Sequence, residues 1–175
     1  MQSDSYRSRM NGLAVTTSAG FFGANLFIGT SMGAYWLTLP PVDFVAEFFP
    51  QFSNFLYTIM PLFLAMLVGL VLSARLDWHI APARRNWMIS LWLYLGLSLI
   101  TILYHMPLNV QLAAAVGSPI GDVLALYKAI ALVGPVTEEN ATTIRLIWLL
   151  GHIPRVLITL AIPVYALRAM RARSA

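Results

Sequence analysis

Four long apolar stretches dominate the chain. Residues 13–39 carry no charge and are closed by Pro40 and Pro41. Residues 56–74 are uncharged and end at Arg75. Residues 87–104 are uncharged and lie between Arg84–Arg85 and a break at Pro107. Residues 146–167 hold a single arginine, Arg155, near their centre. A hydrocarbon core about 30 Å thick needs about 20 helical residues at a rise of 1.5 Å each. Each stretch therefore predicts a spanning helix. The expected fold is an all-α integral membrane protein, a four-transmembrane-helix bundle in one domain over 1–175, with spans at about 13–39, 56–74, 87–105 and 146–167. The first stretch is too long for a signal-peptide core and is followed by further spans, so it reads as a mature helix.

The loop charges give these spans a direction. Arg7 and Arg9 lie in the first tail, Arg75, Arg84 and Arg85 in the second loop, and Arg168, Arg171 and Arg173 in the last tail. The other two loops hold Asp43, Glu47, Asp122, Glu138 and Glu139 against only Lys128 and Arg145. By the positive-inside rule both termini and the second loop are expected in the cytoplasm, in a bacterial inner membrane. Composition agrees: 59% of the residues are hydrophobic and 10% charged, whereas soluble domains have about 45–50% and about 25%. The net charge of +4 lies at helix ends, with no aromatic-interleaved basic stretch, so no nucleic-acid partner is expected. With no cysteine, disulfides, thiolate metal sites and iron–sulfur clusters are ruled out.

The outer loops carry structure of their own. The Phe-rich run 42–55 reads as an interfacial segment. Ser118–Pro119 reads as an N-cap with proline in the first turn, and Gly134–Pro135 as a stop. Between them Ile120, Val123, Leu124, Tyr127 and Ile130 follow helical spacing, which predicts an amphipathic lid helix over about 119–133 on the extracytoplasmic side. Gly29 and Gly33 form a GxxxG pair, extended by Gly20 and Ala24, as close helix packing in lipid requires. The same glycines would also leave room for a flat ligand.

Polar groups inside spans are costly and mark cavities or partners. Trp148, His152, Arg155 and Thr159 are spaced by four, three and four, so they share one face of the last helix. Arg155 falls near mid-span, and no carboxylate lies in any span to pair with it. Pro154 and Pro163 free the carbonyls of Leu150 and Thr159. His105 and Asn109 flank Pro107 at the outer end of the third span. Asn25 lies near the centre of the first, with Thr30 and Ser31 further out. An arginine without an acid, one turn from a histidine, points to a ligand site. The bland alternative is an arginine bonded to backbone carbonyls that locks the bundle, with Asn25 in an interhelical hydrogen bond. His105 and His152 could bracket a haem, but Arg155 disfavours a cation and no acid supports either imidazole. No metal is expected.

The run Pro107–Leu108–Asn109 and the pattern Trp148, His152, Arg155 resemble motifs of the anthrone oxygenase-like family of small four-span membrane proteins. The family often has an asparagine where this chain has His105, and its members differ at the position of His152. The resemblance implies oxidation of a lipophilic aromatic, anthrone-like molecule by molecular oxygen without a metal or flavin. It implies His152 as base, with Arg155 and Asn109 holding an oxyanion. Trp148, His105 and Asn25 would bind substrate. Two other readings stay open: a binding or transport protein for a hydrophobic anion, and an accessory structural subunit. The partners expected are the bilayer and the lipophilic ligand, with association of copies left open.

Overall fold

A computed structural model of the chain describes residues 2–118, 126–127, 130 and 133–174. Among them every regular element is helical. They are α1 (Gln2–Phe27), a π-helical turn (Ile28–Met32), α2 (Gly33–Thr38), α3 (Pro41–Leu76), α4 (Ala81–Ile100), a second π-helical turn (Thr101–His105), α5 (Met106–Ala115) and α6 (Ala141–Ser174). They join into four runs long and apolar enough to cross a membrane: Asp4–Thr38, Pro41–Leu76, Ala81–Ala115 and Ala141–Ala172. This is the all-α, four-span architecture expected. The expected lid over 119–133 falls mostly outside the described residues, of which Leu126 and Tyr127 are helical.

The helices are longer than the apolar runs that announce them. At 32 to 36 residues each is about 50 Å long, against a core of about 30 Å. The segment 42–55, expected at the interface, is continuous with the second span in α3. The bend before α3 is set by proline. Leu39 precedes Pro40 and is extended, with φ −75° and ψ 146°, because the proline ring disfavours helical geometry in the residue before it.

The third span does not break at Pro107, which is the main correction to the expected fold. Proline cannot donate to the preceding turn, and its ring collides with a carbonyl there. The turn Thr101–His105 widens instead: the Met106 N–H donates to the Thr101 carbonyl, five residues back. The extra residue makes space for the ring, and the helix runs on to Ala115. The α6 helix likewise passes through Pro154 and Pro163 without a stop.

The chain forms two compact units. The first comprises Met1–Leu26, Thr58–Leu97 and Val156–Ala175. Here Asp77, wholly buried, accepts from Asn11 Nδ2 and Trp87 Nε1, both at 3.0 Å, and its second oxygen faces Arg7 Nε at 3.5 Å. These contacts tie the start of α1 to the α3–α4 turn and explain why α1 begins well before its apolar stretch. Nearby, Ser90 donates to the Ile162 carbonyl, and Phe63 stacks on Tyr94 and packs against Phe21.

The backbones of α1 and α3 approach closely at Gly69. A Cβ there would lie 2.7 Å from both N and Cα of Ala14, so α1 and α3 would have to separate. Gly69→Ala is expected to cost about 1–3 kcal/mol, the usual range for overpacking. Gly20→Ala, whose methyl would meet only the Leu62 side chain at 3.4 Å, should cost much less. Thermal unfolding in detergent reads both, and equal effects would refute the close-approach explanation.

Candidate functional site

The second unit comprises Phe27–Tyr57 and Ser98–Arg155, and its core is a cluster of rings. In α3, Phe44, Phe48 and Phe52 recur every four residues and so share one helix face. Phe48 stacks on Phe52, and Trp36 of α2 meets Phe44 and Phe48 at 6.0 and 4.9 Å. From α6, Trp148 meets Trp36 and Phe48 edge-on at 5.4 and 5.3 Å. One turn further His152 stacks on Trp148, with centroids 5.1 Å apart and planes 12° from parallel. His105 stands perpendicular to both, 5.5 Å from Trp148 and 6.0 Å from His152. It is the last residue of the widened turn, so the geometry that accommodates Pro107 also aims this imidazole.

Hydrogen bonds set the edges of the cluster. Trp148 Nε1 donates to Asn109 Oδ1 at 2.7 Å. An indole N–H only donates, so the bond fixes which way the Asn109 amide points and leaves its Nδ2 for another acceptor. Trp36 Nε1 donates to Gln51 Oε1, Gln51 Nε2 to Glu47, and the Tyr35 hydroxyl to the same Glu47 oxygen. Glu47 is thus engaged away from the histidines. Tyr104 lies against Gly151 and donates to the Ile147 carbonyl at 2.6 Å, which anchors the π-helical turn to α6.

Two cationic side chains behave differently. Arg145, counted from sequence as an outer-loop charge, donates to the carbonyls of Trp36 and Leu39 at 2.8 and 2.7 Å. It satisfies the carbonyl end of α2, where a positive charge is also favoured. Arg155 is 6% exposed, and its Nε is buried without a hydrogen-bond partner. No ion pair among the described residues engages it. It acts electrostatically on His105, as does His152. Neither ring nitrogen of wholly buried His105 has a well-formed hydrogen bond, although the Ile100 backbone lies close enough to interact with the ring.

No family model, curated protein or solved structure matches the chain. The resemblance to the anthrone oxygenase-like family rests on its short motifs alone.

Of the residues singled out from sequence, His105, Asn109, Trp148 and His152 come together in this cluster, with Arg155 electrostatically coupled to it. Asn25 and Thr159 belong to the other unit. There Asn25 Nδ2 donates to the Phe21 carbonyl and Thr159 to that of Val156. Thr30 and Ser31 are exposed. Trp148, expected to bind substrate, is buried and stacks on His152. Trp36, Phe48 and Gln51 were not foreseen; the signal that marks a packed helix face is the four-residue spacing of Phe44, Phe48 and Phe52. The unit also has an open groove of about 340 Å³ between α3, the end of α5 and the start of α6, lined by Val42, Ala46, Val116 and Glu138 among others. None of the cluster residues lines it.

Proposed function

We propose that this protein is a membrane-embedded, cofactor-independent oxygenase acting on a lipophilic aromatic, anthrone-like substrate. The observation that carries the reading is a buried polar cluster that no acid among the described residues pairs with. His105 lacks well-formed partners, Arg155 Nε has none, and the Asn109 amide accepts from Trp148 through its oxygen, which leaves Nδ2 as its donor. A buried cation without a counter-ion is unfavourable, and an oxyanion beside Arg155 would relieve it.

The chemistry balances without further reactants. An anthrone carries an acidic methylene opposite its carbonyl. His152 takes one proton, and the charge moves to the carbonyl oxygen, where Arg155 and Asn109 Nδ2 donate to it in a low-dielectric site. The electron-rich carbon adds molecular oxygen. One oxygen atom remains as the new carbonyl, and the other leaves as water with both methylene hydrogens. His105 orients the substrate or relays a proton, and Trp36, Phe48 and Trp148 provide the apolar surroundings. Both termini face the cytoplasm of a bacterial inner membrane in this reading, supported by the loop arginines.

Purified protein in detergent, supplied with a model anthrone, should consume one molecule of oxygen per anthraquinone formed and release no peroxide. Oxygen uptake, product absorbance and a peroxide assay read this together. The lone Arg155 also favours a second reading, a non-catalytic binder of hydrophobic anions. That reading gains if the quinone binds, Arg155→Gln weakens binding, and no oxygen is consumed.

A further inference from the structure

Within the first unit, the turn between α3 and α4 borders a groove of about 460 Å³ lined by Val71, Ala74, Arg75, Trp78, Met88 and Leu91. Its walls are apolar and its rim is basic. Trp78 is 53% exposed. Arg84 lies over the Trp78 ring, 5.2 Å from its centroid, and donates Nη1 to the Trp78 carbonyl at 3.3 Å. Stacking uses the face of a guanidinium and leaves most of its in-plane donors available. Arg75 and Arg85 are exposed nearby. The adjacent carboxylate, Asp77, is buried and already engaged by Asn11, Trp87 and Arg7. No ion pair among the described residues takes up Arg75, Arg84 or Arg85.

The geometry points to a binding site for an anionic glycerophospholipid, with an acyl chain along Val71, Met88 and Leu91 and the phosphate between Arg75 and Arg84. Three features fit that occupant together. The groove lies at the ends of two helices long and apolar enough to cross a membrane, where a headgroup meets its chain. An exposed tryptophan marks the headgroup level. Three arginines that no ion pair among the described residues takes up, beside an apolar groove, match a phosphate attached to a hydrocarbon chain, as basic pockets between spanning helices do. The site is independent of the oxygenase reading, because none of its residues belongs to the aromatic cluster.

Native mass spectrometry of the full chain with added phosphatidylglycerol or phosphatidylcholine tests it. Phosphatidylglycerol should be retained preferentially, and the double variant R75Q/R84Q should lose about tenfold of that affinity. The double variant R168Q/R171Q, which removes the same charge elsewhere, should bind as the parent does. V71W, which obstructs the groove and keeps the arginines, should also lose the lipid, while inorganic phosphate should fail to compete. Thermal unfolding confirms that each variant is folded. Equal retention of the two lipids, an unaffected R75Q/R84Q protein, an equal loss in R168Q/R171Q, full retention by V71W, or displacement by inorganic phosphate overturns the assignment.

Discussion

Replacing His152 by Gln is expected to lower oxygen uptake with a model anthrone by about two to four orders of magnitude, the range that general-base catalysis contributes. His152 is 2% exposed and stacked on Trp148. Glutamine keeps a polar side chain of similar reach there but has no basic nitrogen. Substrate affinity should change little, so the loss falls on kcat and not on KM. His105→Gln, which disturbs orientation or relay, should cost less. If the two losses come out reversed, His105 is the base and the cluster keeps its role with the assignments exchanged. Arg155→Gln separates chemistry from packing. Removing a buried cation that has no counter-ion among the described residues should leave stability unchanged or raised. Activity should fall by about two to three orders of magnitude, as when an oxyanion donor is lost. Wild-type turnover in folded H152Q and H105Q would overturn both histidine roles, whereas no oxygen uptake by the parent protein, with quinone binding retained, would leave the anion-binding reading.

The parts legible in sequence were those set by a one-dimensional rule. Span number follows from the length of the apolar runs, and the His152–Trp148 neighbourhood follows from a spacing of four on one helix. Residue faces across different helices were less accessible. Thr30 and Ser31 were placed beyond Asn25 by depth alone, yet depth carries no azimuth, and a π-helical turn over Ile28–Met32 rotates the chain by an extra residue. Pro107 was read by the local rule that proline ends helices. Widening the turn satisfies the same steric demand and keeps the helix intact. Asp77 escaped notice because it sits in a loop by count, and only the fold shows Asn11, Trp87 and Arg7 reaching it. The Gly69 approach to Ala14 likewise has no partner glycine in sequence to announce it, whereas Gly33, picked by its GxxxG spacing, does lie tightly against Leu149.

Gly151→Val should damage both the fold and the site, because this glycine is where the two histidine-bearing elements meet. A Cβ at position 151 would collide with Tyr104 Cε1 and lie 2.5 Å from Cζ, far inside contact distance, so the tyrosine ring must leave. Its departure breaks the 2.6 Å bond from its hydroxyl to the Ile147 carbonyl, which is worth about 0.5–1.5 kcal/mol. Overpacking adds about 1–3 kcal/mol. Tyr104 precedes His105 in the widened turn and Gly151 precedes His152 in α6, so the strain reaches both imidazoles at once. Thermal unfolding of G151V should show a loss of about 1.5–4.5 kcal/mol from these two sources together, and oxygen uptake should fall even at temperatures where the variant is folded. Tyr104→Ala in the same background supplies the decisive comparison. It removes the ring that the valine strikes, so G151V/Y104A should be less destabilised than the two single effects add up to. Strict additivity would mean that the collision is not the source of the damage.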